Sequence, residues 1–439
     1  KHIQNIEREA IENIKRLRNH PSLALWCGNN ESLTGWKEWN WQNLYSLHGK
    51  DSVDVWKTYE KVFHEILPNA VDSLDPGKFY WSSSASSEFG KLQNKSKGDQ
   101  HEWGVWFGQM PFSRYEKNAG RFISEYGLQS LPEITTVQKM DTTISKWTLK
   151  TQALKFRQRS KMPWIEEKFD GFDMMEHYIK LYYPSPDNLE EFIYLSQLTQ
   201  ALGLKTAIHS HRRNKPYTMG SLYWQIDDVW PTVSWSTVDY FGNWKAAHYQ
   251  VKKAFEPILI TSSITDTIVT ITIINDELDS ISGNLFIDVF TFNGNSIYST
   301  DLQLEIKPNS TTVSYSETME ELLCGQEKNK VFLYAYIESN GENIAKNNFY
   351  FTKPKFLQLV SPKITTSTSK LDNKWEFSLL STTLAKDVFL SIEGVEGNWS
   401  NNYFDLLPGR EKTVTFKTNL KIETDKPKLN ILTLEDVFD

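Results

Sequence analysis

At 439 residues the chain has room for about two to four domains, and its 39% hydrophobic and 23% charged composition excludes a disordered or collagen-like polymer. A net charge of −7 argues against a general nucleic-acid partner, and no apolar run reaches the roughly 18–20 residues of a membrane span. Two cysteines, Cys27 and Cys324, cannot build a disulfide framework or a multi-cysteine metal site, and Lys1 opens no signal or transit pattern. Residues 1–20 read as an amphipathic helix, with Ile3, Ile6, Ala10, Ile14 and Leu17 at three- and four-residue spacing and His20-Pro21 ending it. The run Leu23–Cys27, stopped by Gly28, predicts a buried parallel strand. Asp51–Leu67 predicts a helix closed by Pro68, followed by short strands at Phe79–Trp81, His101–Trp106 and Arg121–Ser124. A long helix spans Asn188 to about Arg212, then a strand Met219–Ile226 and a last helix near Trp244–Phe255. Strands alternating with helices argue a parallel α/β fold, and the long polar, Trp-rich connections argue a barrel with its site at the strand C-terminal ends.

After Pro257 the apolar period changes to two. Thr267–Ile274, Leu285–Phe292, Lys330–Ile337 and Phe349–Thr352 alternate between turns such as Asn293-Gly294 and Asn340-Gly341. A second set covers Trp375–Leu380, Val388–Ile392, Lys412–Phe416 and Lys428–Leu434. These predict two small β-sandwiches, at 256–353 and 354–439, behind an α/β part at 1–255. Of the 16 Trp, 14 lie before residue 256, and only Trp375 and Trp399 follow, so the two parts do different work. Trp faces fill cores and also stack on the apolar faces of sugars.

Two carboxylates stand out by position. Glu31 follows the first strand in Trp26-Cys-Gly-Asn-Asn-Glu31, and Glu125 follows another in Ser124-Glu-Tyr-Gly127. Both are expected at strand C-terminal ends among apolar and aromatic neighbours, where a charge must be hydrogen-bonded, paired or tuned to carry a proton. A single Glu after a strand is more often a rim residue or a salt-bridge partner. A pair among tryptophans suits glycoside hydrolysis, where one acid protonates the leaving oxygen and the other attacks the sugar or activates water. Cys27 reads as a small buried hydrophobe, His209 and His211 as a solvated helix end, and Asp227-Asp228 as a loop anchor.

Arg16–Glu31 resembles the acid/base strand of the β-mannosidases of glycoside hydrolase family 2. Arg121–Ser130 resembles their nucleophile strand, and Gly220–Pro231, continuing through Trp235–Tyr249, their last barrel strand and exit loop. The resemblance covers about residues 1–255; the sandwiches fit the family's C-terminal domains in type alone. It implies part of a (β/α)8 barrel, about strands four to eight, followed by two immunoglobulin-like sandwiches. It implies a retaining exo-β-mannosidase acting on terminal non-reducing β-mannose, with Glu31 as acid/base and Glu125 as nucleophile. It gives Asn30 a contact to the sugar 2-hydroxyl and makes Trp224 the platform under the sugar. His101 and Trp103, with Asp99, line the pocket, although a buried His that bonds a backbone carbonyl is the commoner case. At Phe107 the family pattern leads one to expect a polar ring bonded to the nucleophile, so Glu125 needs another donor. The resemblance implies no metal or organic cofactor, a β-mannoside oligosaccharide as substrate, and a periplasmic, extracellular or, in an animal, lysosomal location.

Counted against the family, the first three barrel strands and the amino-terminal domains are not in this chain. The expectation is a C-terminal portion of a larger enzyme that by itself hydrolyses weakly or not at all. Two alternatives stand beside the mannosidase reading: another family 2 specificity, such as galactosidase or glucuronidase, and a non-catalytic carbohydrate-binding relative.

Overall fold

A computed structural model describes residues 1–86, 95–371, 374–418 and 427–438. Two compact units share the chain. The first holds residues 1–102, 118–126 and 217–222; the second holds 103–117, 127–216 and 223–439.

In the first unit, helix α1 (His2–Leu17) ends before Pro21 as its sequence requires. One stripe of it is covered: Ile14 is buried with Ala70 and Val71, and Ile11, Trp26, Leu74 and Tyr80 pack around them. A loop leads from α1 to strand β1 (Leu25–Cys27), which is followed by α2 (Ser32–Lys37) and α3 (Lys50–Glu60). The helix does not stop at Pro68. It passes through a π-helical turn, Lys61–Ile66, into α4 (Leu67–Leu74), with Pro68 in the first turn of the new segment. The π-helical turn carries the chain across the position where proline has no N–H to give: the Leu67 N–H just before it donates to the Val62 carbonyl.

Strand β1 pairs in parallel with β2 (Phe79–Trp81), Trp26 opposite Tyr80. A second parallel sheet has the order β3 (Gln100–His101), β4 (Phe122–Glu125), β5 (Gly220–Ser221). The parallel pairing agrees with the sequence, but the strands are shorter than expected. Strand β3 stops at His101 rather than Trp106, and β5 covers two residues of the predicted Met219–Ile226. At Gly220 the strands pack closely: a Cβ there would lie 2.1 Å from the Phe122 ring.

Nor is β1 buried. Trp26 and Tyr80 face the α1–α4 cluster, while Leu25 and Cys27 on the other face are exposed. Among the described residues β1 has a neighbour on one edge alone. Cys27 is therefore not the buried hydrophobe its apolar run suggested, although partial burial, with Asp99 nearby, still pushes its thiol pKa up.

In the second unit, helix α5 (Gly171–Tyr182) starts at a capping box: Asp170 accepts from the Phe172 N–H at 2.9 Å, and Asp173 accepts from the Asp170 N–H at 2.8 Å. Helix α6 (Leu189–Arg213) is capped by Asn188, whose Oδ1 accepts from the Glu191 N–H at 2.9 Å. Its polar residues are buried as well as its apolar ones. Gln200 donates to the carbonyls of Leu128 (2.8 Å) and Trp235 (2.9 Å) and accepts from Ser130 Oγ (2.7 Å). His209 and His211 share this burial, at 6% and 1% exposure, so the solvated helix end is corrected. Desolvation, with Arg213 adding to it, lowers the pKa of His211 to about 3. The helix is covered along its whole length, against α7 (Ala246–Ala254) among others, and its C-terminal turn is not open to solvent as a surface helix would be.

The rest of this unit is β. The first sandwich has β6 (Ile258–Thr265), β7 (Ile268–Asn275) and β10 (Ser310–Thr318) in one sheet. Its other sheet has β8 (Ile281–Thr291), β9 (Ser296–Ile306), β11 (Val331–Ser339) and β12 (Glu342–Tyr350). Alternate residues fill the space between the sheets, with Ile260, Val269, Ile271 and Ile273 against Leu285, Ile287, Val289, Leu333, Ala335 and Ile337. The β11–β12 hairpin turns on Asn340 and Gly341, both at positive φ (52° and 81°), the conformation its Asn-Gly pair predicts. The second sandwich sets β13 (Ile364–Leu371), β14 (Lys374–Ser381), β18 (Lys412–Lys417) and β16 (Asn398–Trp399) in one sheet, and β17 (Phe404–Leu406), β15 (Ala385–Ile392) and β19 (Leu429–Leu432) in the other. Trp375, Phe377, Leu390, Val414 and Phe416 are buried in it. No described helix is long and apolar enough to cross a membrane.

Candidate active site

Beyond β1 the chain turns sharply through Gly28, Asn29 and Asn30. A Cβ on Gly28 would lie 2.6 Å from the Ser82 carbonyl and 2.5 Å from the Tyr80 hydroxyl, so only glycine allows the approach. Asn29 then pins the loop. Its Nδ2 donates to the Ser82 carbonyl (2.7 Å), and its Oδ1 accepts from the Ser32 N–H (3.0 Å) and Ser83 Oγ (2.9 Å). Asn30 is exposed and bridges Ser84 through the backbone. Glu31 stands as the N-cap of α2 at φ 57°, and its N–H donates to the Ser84 carbonyl at 2.7 Å. The sequence gives Asn30 the site role; structurally, Asn29 holds the loop and leaves Asn30 open.

Glu125 ends β4, and His101 pairs with it in register from β3. The imidazole lies between the two carboxylates. Its Nδ1 is 2.7 Å from Glu31 Oε1 and 3.4 Å from Glu125 Oε2. The His101 side chain is 1% exposed, and those of Glu31 and Glu125 are 19% and 12% exposed. One oxygen from each carboxylate and the ring nitrogen all lie within 4.8 Å of one another. His101 is thus not a histidine spent on a backbone carbonyl.

Its other nitrogen, Nε2, lies 3.0 Å from Ser84 Oγ. Ser84 Oγ donates to Asp99 Oδ2 at 2.5 Å, and Ser124 Oγ donates to the same oxygen at 2.6 Å. Asp99 Oδ1 accepts from the Ser86 N–H at 2.6 Å. Burial by itself would raise the pKa of Asp99, but the hydroxyls of Ser124, Ser84 and Ser86 and the Ser86 N–H outweigh it and lower it. Since a serine has one proton and Ser84 gives it to Asp99, Ser84 accepts from His101 Nε2–H. Three atoms so spaced are also a geometry that could hold a cation, with Glu31, Glu125 and His101 as its ligands.

Trp103 and Trp224 belong to the other unit. Trp103 lies past the end of β3 and is buried, edge-on to Phe107 (5.2 Å between centroids) and to Trp235 (6.3 Å). Phe107 sits in this aromatic group, and the hydrogen-bonding group beside Glu125 is His101. Trp224 is 42% exposed, an open aromatic face. Asp228 accepts from Ser234 Oγ (2.7 Å) and Ser236 Oγ (2.6 Å), the loop-anchoring role expected of it. Sequence reading missed Ser84, Ser86 and Ser124. They come from separate segments, and a run such as Ser82-Ser-Ser-Ala-Ser-Ser87 has no periodicity that would single one out.

Residues 267–355 match a mannosidase Ig/CBM-like domain, and 359–437 an Ig-fold domain of the mannosidase type. A β-mannosidase of the goat, Capra hircus, is 26% identical over 471 aligned positions that cover 99% of this chain and 51% of the goat enzyme. β-Mannosidase B of Aspergillus fumigatus is 30% identical over 266 positions, 59% of this chain and 30% of the fungal one. The crystal structure of the β-D-mannosidase of Dictyoglomus thermophilum superposes with a TM-score of 0.81 at 30% identity, over 98% of this chain and 50% of that one. The chain is a homologue of the β-mannosidases. It spans about a third to a half of the length of these β-mannosidases. An exo-chitosanase of Amycolatopsis orientalis, at 16% identity and TM-score 0.65, shares the fold. The two β-mannosidase-type domain matches fall on the two β-sandwiches, and the site lies in the α/β part ahead of them.

Proposed function

We propose that this chain carries the catalytic centre of a retaining exo-β-mannosidase. The reading rests on the approach of Glu31 and Glu125, whose nearest carboxylate oxygens lie within 4.8 Å. Retaining enzymes hold their two carboxyl groups about 5–5.5 Å apart, whereas inverting ones leave about 6.5–9.5 Å for a water. Glu125, at the end of β4, attacks the anomeric carbon of a terminal β-mannose. Glu31 gives its proton to the leaving oxygen and then takes one from water, releasing mannose from the covalent intermediate.

His101 is a positioning residue in this scheme. Its Nδ1 lies 2.7 Å from Glu31 Oε1, so it orients the carboxylate that serves the leaving group. Asp99, through Ser84, fixes the ring orientation. Asn30, exposed one residue before Glu31, is the candidate for the sugar 2-hydroxyl, and the resemblance alone gives Trp224 a stacking role and Trp103 a lining role. The parallel sheets β1–β2 and β3–β4–β5, with the parallel bridge Asn30–Ser84, support a partial (β/α)8 barrel over about residues 1–255, ahead of sandwiches at 256–353 and 354–439. No cofactor enters this chemistry. The names of the relatives favour β-mannosides over β-galactosides or β-glucuronides, and the intact carboxylate pair favours catalysis over sugar binding alone.

Glu31→Ala tests the assignment. The variant should lose activity on alkyl β-mannosides by about 10²–10⁴-fold, keep much of it on dinitrophenyl β-mannoside, whose leaving group needs no proton, and regain turnover in azide as β-mannosyl azide. Equal losses on both substrates without azide rescue would reject Glu31 as acid/base. Activity unaffected by EDTA would separate this reading from a cation held by the same three side chains.

A further inference from the structure

A cavity of about 650 Å³ opens within the second unit, lined by α6, α7, β12 and the second sandwich. Four lysines reach it from separate elements: Lys205 from α6, Lys253 from α7, Lys346 from β12 and Lys412 from β18. Among the described residues no carboxylate lies within ion-pairing distance of any of the four. Lys253 Nζ contacts Asn347 Oδ1 at 3.3 Å, and Lys412 Nζ lies over the Phe404 ring at 4.5 Å.

The cavity's carboxylates are engaged elsewhere or face out. Lys386 Nζ takes Asp387 at 3.0 Å and Asp405 at 3.5 Å. Asp405 also accepts from Asn348 Nδ2 (2.5 Å) and the Tyr350 hydroxyl (2.7 Å). Glu116 pairs with Arg213, and Glu256 and Glu411 are exposed. Lys205, Lys253 and Lys412 are half-buried there with Asp405 acting on them only through space, while Lys346 is exposed at the rim, an arrangement that a bound anion would complete. Burial, then a neighbouring lysine, lowers the pKa of Lys205 and of Lys412 to about 8 and lowers that of Lys253, against the opposing pull of Asp405.

We propose that this cavity is a binding site for a small multivalent oxyanion, a phosphate group either free or carried on a sugar. The volume is many times that of a phosphate and falls within the range of about 300–1,000 Å³ of small-molecule sites. The half-buried Tyr350 ring on the wall suits a sugar attached to it. The inference is independent of the glycosidase reading, since none of these residues belongs to the carboxylate site.

Calorimetric titration and thermal unfolding of the 439-residue chain test it, using sodium phosphate, mannose 6-phosphate and mannose against sodium chloride at matched ionic strength. Phosphate should bind one to one and raise the unfolding midpoint by about 2–4 °C at saturation, while chloride and mannose do neither. Tighter binding of mannose 6-phosphate than of phosphate assigns the site to a sugar phosphate; equal binding assigns it to the free anion. Lys205→Met and Lys412→Met should each weaken phosphate binding about tenfold, by loss of a charge-assisted hydrogen bond, and raise the midpoint in chloride by relieving repulsion. Phosphate that acts no differently from chloride, or that binds the variants as tightly as the parent chain, would overturn the proposal. The titration of the unmodified chain decides even if a variant does not fold.

Discussion

At the residue scale, the site is a relay of four groups: Asp99, Ser84, His101 and Glu31, with Glu125 against the imidazole on the other side. Two carboxylates this close repel when both are ionised, and an imidazole between them supplies a shared donor. The arrangement makes His101 testable apart from the carboxylates. His101→Asn keeps a polar group but removes the reach to Glu31, and kcat/KM on an aryl β-mannoside should fall about 10²-fold with the unfolding midpoint little changed. An unaltered kcat/KM would show that the ring is a bystander. Glu31 and Glu125 were legible in the sequence because each follows an apolar strand and stands among aromatics. The relay behind them was not, because Ser84, Asp99 and Ser124 meet only through folding, and a serine carries no sequence periodicity. Asn29, which holds the loop, looks identical to the adjacent Asn30 in a one-dimensional string.

At the element scale, strand identity was legible and strand length was not. Apolar runs located β1, β2 and β4, but the runs through Trp106 and Ile226 continue past the paired residues, and continuity of hydrophobic residues cannot mark where a ladder ends. The sandwiches were read more accurately, because period-two alternation and Asn-Gly turns specify both the face and the ends of a strand. Helix α5 was missed although its Asp170–Asp173 capping box is a sequence-level signal. Just beyond β4, Glu133 shows how this region responds to pH. Burial first, then Asp239 and Glu396, raise its pKa from 4.5 to about 8. The folded state therefore holds a proton that the unfolded chain releases, and the group costs stability increasingly as pH rises from about 4.5 to 8. Glu133→Gln should raise the unfolding midpoint at pH 8 and leave it nearly unchanged at pH 4. An equal shift at both pH values would contradict this.

At the scale of the whole molecule, the chain aligns with half of the goat and bacterial β-mannosidases, and the two-stranded sheet ahead of Glu31 has no strand on either outer edge among the described residues. Phe79 on that sheet is 77% exposed, a large apolar side chain for a strand next to a proposed active site. Substrate would be held on fewer sides than in a closed pocket, and misplacement by about 1 Å costs about 10²-fold. The 439-residue chain should therefore show kcat/KM on aryl β-mannosides at least about 10²-fold below that of the Dictyoglomus enzyme assayed alongside it; equal rates would show that these residues suffice for a complete pocket. Slow turnover does not prevent the decisive measurement, because a covalent intermediate can be trapped from a slow enzyme. Incubation with 2-deoxy-2-fluoro-β-mannosyl fluoride, followed by proteolysis and mass spectrometry, should find the fluoromannosyl group esterified to Glu125 and absent from a Glu125→Gln chain. An adduct on any other residue, or none after prolonged exposure, would contradict the central claim that Glu125 and Glu31 act together on one sugar ring.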